Sequence, residues 1–208
     1  MSGIAANYPC PACPETCDEY TLPVVKSEYC PQNVQVRRGE IKRILIAEVN
    51  PEDKTKPLGG PADWTSIEAW TTAIDNDATG KVKSIYGIGD MPDPTDTYAP
   101  IHDGLEALID RLYTMNFSIV DTNDVNYNAA RALQCGGTFF LWYEDRGNYL
   151  YGGENGIKVE LKSPRIPRER GNESYLNINT AIIWHSGCDP ERVASPFTEG
   201  PAPEPDPE

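Results

Sequence analysis

Six cysteines are the residues of this chain whose type and spacing could do chemistry, and four of them lie within the first thirty residues. Their positions are Cys10, Cys13, Cys17 and Cys30. A Cys-x2-Cys start followed by two further thiolates can supply a tetrahedral zinc site. Because Cys17 and the lone Cys30 do not form a second Cys-x2-Cys pair, disulfides and free thiols stay open as alternatives. We expect no cofactor other than this possible zinc.

The remaining reactive side chains form no recognised catalytic motif. The two histidines, His102 and His185, lie apart from any serine or cysteine motif, and Cys135 and Cys188 are interpreted as small buried apolar residues. Gly-x-Ser-x-Gly, a phosphate-binding Gly-Lys-Ser/Thr loop and His-Glu-x-x-His are all absent from the sequence. We therefore expect a protein that is not an enzyme.

The negative net charge of the chain limits the kinds of partner that it can bind. The chain carries 18 basic and 32 acidic side chains, a formal net charge of −14, so its surface repels nucleic acid. The one dense basic stretch, Arg165, Arg168 and Arg170, is better explained as a solvated rim or a subunit contact than as a phosphate groove. The sequence has neither a secretory signal nor an apolar run of membrane-spanning length, which predicts assembly in a cytoplasm and no membrane partner.

Composition divides the chain into three segments. Residues 1–33 are rich in proline and cysteine and are predicted to be an arm that packs on another surface, residues 34–197 a single β-rich domain, and residues 198–208 a disordered acidic tail. Within the domain, alternating apolar residues and turn signals predict strands at 41–49, 82–88, 107–121, 138–143, 149–151, 156–162 and 175–185. Residues 50–62 and 87–100 are predicted to be loops.

Two short helices are predicted between these strands. For the first, Asp63 is a candidate cap, and Thr65 with Glu68 has the spacing of a capping box. Its buried face is predicted to consist of Trp64, Ile67, Trp70 and Ile74. The second helix is predicted at 125–133. The fold class is mainly β (α+β), an antiparallel β-sandwich or barrel of six or seven strands with two short helices.

Three stretches carry a resemblance to a known family. They are the strand from Thr114 into Asp124 and its short helix, the segments Phe139–Glu144 and Leu150–Gly153, and the closing Ile182–Trp184 followed by Cys188-Asp189-Pro190. In strand order and loop residues, 34–197 resembles the tail-tube proteins of long-tailed bacteriophages, particularly those infecting Bacteroidetes.

This resemblance implies a virion structural protein that forms rings. Six copies would form a hexameric ring, rings would stack into a tube that joins other phage tail proteins, and DNA would pass through the lumen without specific binding. The protein would be assembled in the host cytoplasm and end in the virion. An acidic lumen agrees with the net charge, and its candidate carboxylates near the predicted strands are Asp121, Asp124, Glu144, Asp145 and Glu160.

Two other functions stay open. One is another phage head or tail accessory protein, such as a decoration or terminator protein. The other is a small β-sandwich binding module that disulfides staple together.

Overall fold

The computed structural model describes residues 40–102, 105–120, 136–165 and 177–197. The four N-terminal cysteines, the predicted second helix and the acidic tail lie outside the described residues. The described elements are β1 (Glu40–Glu48), α1 (Ile67–Ala73), β2 (Lys83–Asp90), β3 (Asp93–His102), β4 (Leu105–Val120), β5 (Gly137–Asp145), β6 (Tyr149–Tyr151), β7 (Ile157–Arg165), β8 (Asn177–His185) and β9 (Arg192–Ala194).

Six of the strands close into an antiparallel barrel. The order is β1-β2-β4-β8-β7-β5, and β5 also pairs with β1, which joins the two ends of the sheet. Strand β3 pairs with β4 outside this ring, and β6 with β9 continues from β5. The predicted β-barrel fold class is confirmed, and all seven predicted strands are present.

The barrel interior is filled by side chains that alternate along each strand. On β4, Tyr113, Met115 and Phe117 are buried, whereas Thr114 and Asn116 are exposed on the outer face. Inward-facing residues of the other strands complete this core: Ile41, Ile44, Ile46, Leu141, Tyr143, Val159, Leu161, Ile182 and Trp184. The period-two pattern predicted from 111 to 121 is therefore the pattern that fills the barrel.

The predicted loop at 87–100 was wrong. Strand β2 continues to Asp90, and β3 occupies Asp93–His102. Pro94 and Pro100 suggested a loop because proline lacks the N–H that a sheet requires. Within the described residues, β3 pairs with β4 alone, so it is an edge strand, the place where proline is tolerated in a sheet.

Two glycines allow the barrel to close between β2 and β4. The pairing between these strands is confined to Ile88 opposite Ser118 and Gly89 opposite Phe117. A Cβ added at Gly87 would lie 2.6 Å from Phe117 Cζ, and one added at Gly89 would lie 2.9 Å from Phe117 Cδ2. These two glycines lie in the predicted loop, but they are strand positions at which the Phe117 ring leaves no room for a side chain.

A second core lies between the outer face of β1 and β5 and the segment that contains α1. Trp70 is fully buried there, its ring 5.2 Å from that of Trp142, and its Nε1 donates to the Trp64 carbonyl at 2.8 Å. The predicted burial of Trp64 and Trp70 is confirmed. Ile67, however, is 46% exposed, so the prediction of a four-residue buried face was wrong.

The start of α1 explains this difference. The helix begins at Ile67 after Ser66, whose extended backbone interrupts the helical phase, so Trp64 reaches the core from the preceding turn. The predicted capping box is absent, because Ser66 is the N-cap and makes no side-chain cap hydrogen bond. Asp63 instead accepts hydrogen bonds from the amide and hydroxyl of Thr65.

Candidate assembly surface

Strands β3 and β4 form a hairpin that extends beyond the barrel. Strand β8 pairs with β4 only from Leu112 to Val120, and β2 pairs with it only near Phe117. Residues 105–111 of β4 therefore have β3 as their one strand neighbour among the described pairings. We call residues 96–102 and 105–111 the projecting hairpin.

The projecting hairpin exposes three large apolar side chains. Tyr98 is 53% exposed, Leu108 40% and Ile109 62%. Tyr98 lies directly opposite Leu108, and the register shifts beside Tyr98, so that Ile109 has no partner residue on β3. Tyr98, Leu108 and Ile109 therefore place apolar surface where, among the described pairings, β4 has β3 as its one strand neighbour.

A second exposed apolar pair lies on the outer face of β2. Tyr86 is 67% exposed and Ile88 52% exposed. Of the six exposed large hydrophobic residues in the described part of the chain, five lie on β2, β3 and β4. The exposed residues on β2 and those on the hairpin form two separate patches, because Ile88 lies opposite Ser118, ten residues of β4 away from Leu108. An exposed apolar patch is typical of a site that another protein covers.

An ion pair stiffens the base of the projecting hairpin. Arg111 Nε donates to Asp96 Oδ1 at 2.6 Å, and its Nη2 donates to Asp96 Oδ2 at 2.9 Å. Tyr98 donates its hydroxyl proton to the same carboxylate at 3.1 Å. The Arg111 hydrogen bonds lower the pKa of Asp96, and the bond to Asp96 raises the pKa of Tyr98. The two-bond geometry ties β3 to β4 where they leave the barrel.

Aromatic rings fill the barrel at the hairpin base. Tyr113 and Trp184 stack with 5.2 Å between ring centroids, and Tyr113 donates to Asp189 at 2.7 Å. Burial raises the pKa of Tyr113 to about 12. Tyr143 and Tyr151 stack beside them at 4.7 Å, and burial raises the pKa of both hydroxyls. This packed end gives the projecting hairpin a rigid support.

A buried ion pair holds the last described segment on the barrel wall. Arg43 Nη2 contacts Glu144 Oε2 at 2.5 Å, and the Phe197 ring lies 3.7 Å from the guanidinium carbon. Ser195 donates to the other oxygen of Glu144, and Lys42 lies 3.2 Å from that oxygen. The Glu144 carboxylate is thus surrounded by partners from β1 and the segment after β9.

The five predicted lumen carboxylates fall into three groups. Glu144 and Asp145 are buried, and Asp145 accepts from the Tyr149 amide and the Tyr151 hydroxyl, so these two serve structural contacts and were wrong as carboxylates facing an open channel. Glu160 is exposed on β7 and stays a prediction. Asp121 and Asp124 lie outside the described residues.

Of the cysteines, only Cys188 lies within the described residues. It is half-buried and disulfide-bonded, which contradicts the interpretation as a small buried apolar thiol. The five other cysteines, including the four zinc candidates, lie at positions that the structure does not describe. Within the described ranges, no group of three or more His, Cys, Asp or Glu residues is placed to hold a metal ion.

The exposed residues Tyr98, Leu108 and Ile109 were missed by sequence reasoning. Tyr98 lay in the predicted loop, and the other two looked like ordinary strand residues. The available signal was the combination of Pro94 and Pro100 with alternating Thr95, Thr97 and Ala99, which is typical of an edge strand.

Comparison with known proteins adds no identification. No protein-family profile, no curated protein and no solved structure matches this chain. Across the part of the chain that the structure describes, no helix has the length and apolar character needed to cross a membrane.

Proposed function

We propose that this chain is a structural protein without catalytic activity that assembles with copies of itself, and specifically that it is the tail-tube subunit of a long-tailed bacteriophage. The observation that carries the proposal is the projecting hairpin, which leaves the closed barrel and exposes Tyr98, Leu108 and Ile109. A barrel that is already closed gains nothing for its own core from this extension. A neighbouring subunit would cover these side chains.

The size of the expected effect supports an assembly role. Complete burial of one large apolar side chain contributes about 1.5–3 kcal/mol. Burying the exposed parts of Tyr98, Leu108 and Ile109 in a contact with another copy therefore favours association by a measurable amount. Pro94 and Pro100 remove two N–H donors from β3, which argues against an added strand along its edge. We therefore expect side-chain packing at this contact.

Charge fits the tail-tube role as well. A net charge of −14 repels DNA phosphates, so a channel through stacked rings of this chain lets DNA move without sticking. With Glu144 and Asp145 removed from the candidates, the proposed lumen carboxylates are Asp121, Asp124 and Glu160.

Sedimentation across a range of concentrations tests the assembly role. The double variant Leu108→Ser/Ile109→Ser should stay monomeric at concentrations where the unchanged protein forms large species, with a threshold raised at least about tenfold. Ile67→Ser is the matched control, because Ile67 is similarly exposed but lies on α1. Equal assembly of the double variant and the control would refute the role of the projecting hairpin.

A second candidate function rests on the disulfide of Cys188. A half-buried disulfide close to the barrel end favours a disulfide-stapled β-sandwich that binds a partner. Thiol titration of the denatured protein, with and without a reductant, separates the two. Six free thiols in the unreduced protein would remove this candidate.

A further inference from the structure

The sulfur of Cys188 is bonded to a second cysteine, and the described residues narrow the choice of partner. Cys188 is half-buried and disulfide-bonded. It is the one cysteine within the described residues, so its partner is one of the five at other positions of the sequence. These five are Cys10, Cys13, Cys17, Cys30 and Cys135.

The turn that carries Cys188 lies at the end of the barrel from which the projecting hairpin extends. The Ser186 amide donates to the Arg111 carbonyl at 3.2 Å, so the chain after β8 continues along β4 as far as the hairpin base. Ser186 Oγ then donates to the Cys188 carbonyl at 2.7 Å, which closes a tight turn. Tyr113 donates to Asp189 at 2.7 Å, so the chain after this turn bends towards β4.

Cys135 approaches the fold from the far end of the barrel. It comes two residues before Gly137, which lies opposite Leu161, and Leu161 lies opposite Ile182. Ser186 is four residues beyond Ile182 and two strands across from Gly137, which separates Gly137 from Ser186 by about 16 Å. Since β5 and β8 run in the same direction, the chain before Gly137 and the chain after Ser186 belong to opposite ends. A disulfide requires Cα atoms within about 7 Å, which excludes Cys135 as the partner.

The segment before β1 enters the fold at the same end as Cys188. The Arg146 amide donates to the Glu40 carbonyl at 2.8 Å, which places the start of β1 beside the end of β5. Just after β6, the Gly152 amide donates to the Glu191 carbonyl at 3.0 Å, and Glu191 is three residues after Cys188. Because β6 pairs with the end of β5, a few strand spacings separate Glu40 from the Cys188 turn.

Chain length allows each of the four N-terminal cysteines to reach this turn. Ten residues separate Cys30 from Glu40, and an extended chain of that length spans about 33 Å. This reach exceeds the few strand spacings, about 4.8 Å each, that lie between Glu40 and Cys188. Cys10, Cys13 and Cys17 are further along the same segment and have a longer reach.

We infer that the Cys188 disulfide joins one of the four N-terminal cysteines, so that the segment before β1 is tied covalently to the barrel at the base of the projecting hairpin. The bond forms by thiol–disulfide exchange, in which a small-molecule disulfide takes up the two electrons and both protons and leaves as two thiols. The tether exists whether or not copies of the chain assemble. It also removes one ligand from the predicted zinc site, because a site of four thiolates needs all four N-terminal cysteines.

Tryptic peptide mapping of the unreduced protein identifies the partner, because the lysines and arginines divide the cysteines among separate peptides. Cys188 falls in 171–192, Cys135 in 132–146, Cys30 in 27–37 and the other three in 1–26. Free thiols are alkylated in denaturant before digestion, so that they cannot exchange. The expected product is 171–192 linked to 1–26 or to 27–37, and this product is lost when a reductant is added. A link to 132–146, or an alkylated thiol in 171–192, would overturn the inference.

Two cysteine variants provide a matched comparison. Cys188→Ser should lose the link, and trypsin should cleave its native form faster at Lys26, Arg37 and Arg38, because the segment is no longer held at this end. Cys135→Ser should keep the link and the slower cleavage. Equal cleavage of the two variants would contradict the tether.

The mass of the denatured, unreduced protein should be that of a single chain. A disulfide-linked dimer would show that Cys188 joins two copies, which would also contradict the tether. If Cys188→Ser folds poorly, the peptide map and the mass of the unchanged protein decide the matter.

Discussion

At the scale of single residues, Glu144 was predicted to face a channel but is a buried carboxylate in an ion pair with Arg43. Its carboxylate is 1% exposed and lies between Arg43, Lys42 and Ser195. Removing it leaves the Arg43 guanidinium buried without its counter-charge, because Arg43 is itself buried and its Nε already has no partner among the described atoms.

We therefore expect Glu144→Ala to lower the free energy of unfolding by about 3–5 kcal/mol. Glu144→Gln should cost less, since an amide oxygen still accepts from Arg43. Glu160→Ala, at an exposed position, should change stability little. Urea denaturation of the three variants measures these differences, and a Glu144→Ala protein as stable as the Glu160→Ala control would show that the ion pair is misplaced.

The buried tyrosines predict the response to alkali. Burial raises the pKa of Tyr113 to about 12 and raises that of Tyr143, so folding favours their protonated forms. Stability from these groups is fully present below the unfolded value of about 10 and is lost as pH rises through the folded values. Ultraviolet titration of phenolate in the native protein should show a late-ionising group of tyrosines that Tyr143→Phe makes smaller. Complete ionisation near pH 10 with the fold intact would contradict this.

At the scale of elements, Trp70 and Ile67, two members of the predicted helical face, provide a matched pair. Trp70→Ala should lower the free energy of unfolding by about 3–5 kcal/mol, because Trp70 is fully buried against Trp142 and Phe197. Ile67→Ala should cost far less, since Ile67 is exposed. Thermal unfolding of both variants measures the difference, and equal losses would mean that the helix buries the face predicted from sequence.

The glycines of β2 predict a second element-scale effect. Gly89→Val should destabilise the barrel by about 1–3 kcal/mol, because the new side chain meets the Phe117 ring inside a filled core. Replacing Phe117 with Leu in the same chain should recover part of this loss by making room. A denaturation series without any recovery in the double variant would argue against a clash with that ring.

Strands with a clear two-residue period were predictable from sequence, and the elements that depend on distant contacts were not. The buried alternation of Tyr113, Met115 and Phe117 is local information, so β4 was found. Strand β3 was missed because its prolines are acceptable only at an edge, and edge position is decided by the whole sheet. The burial of Glu144 could likewise not be predicted from the sequence, since its partner Arg43 lies about a hundred residues earlier in the chain.

At the scale of the whole molecule, a closed barrel supports a hairpin that extends beyond it and exposes Tyr98, Leu108 and Ile109. The six barrel strands pair with one another in a closed ring. The hairpin that extends beyond this ring is therefore the part that we propose contacts other copies.

Electron microscopy of the purified full-length protein at high concentration tests this account most directly. Rings or stacked tubes with an open channel should appear, with the projecting hairpin covered by a neighbouring copy and the channel wall acidic. Uniform monomers at every concentration and salt condition, or assemblies in which the hairpin stays exposed and no channel exists, would contradict it.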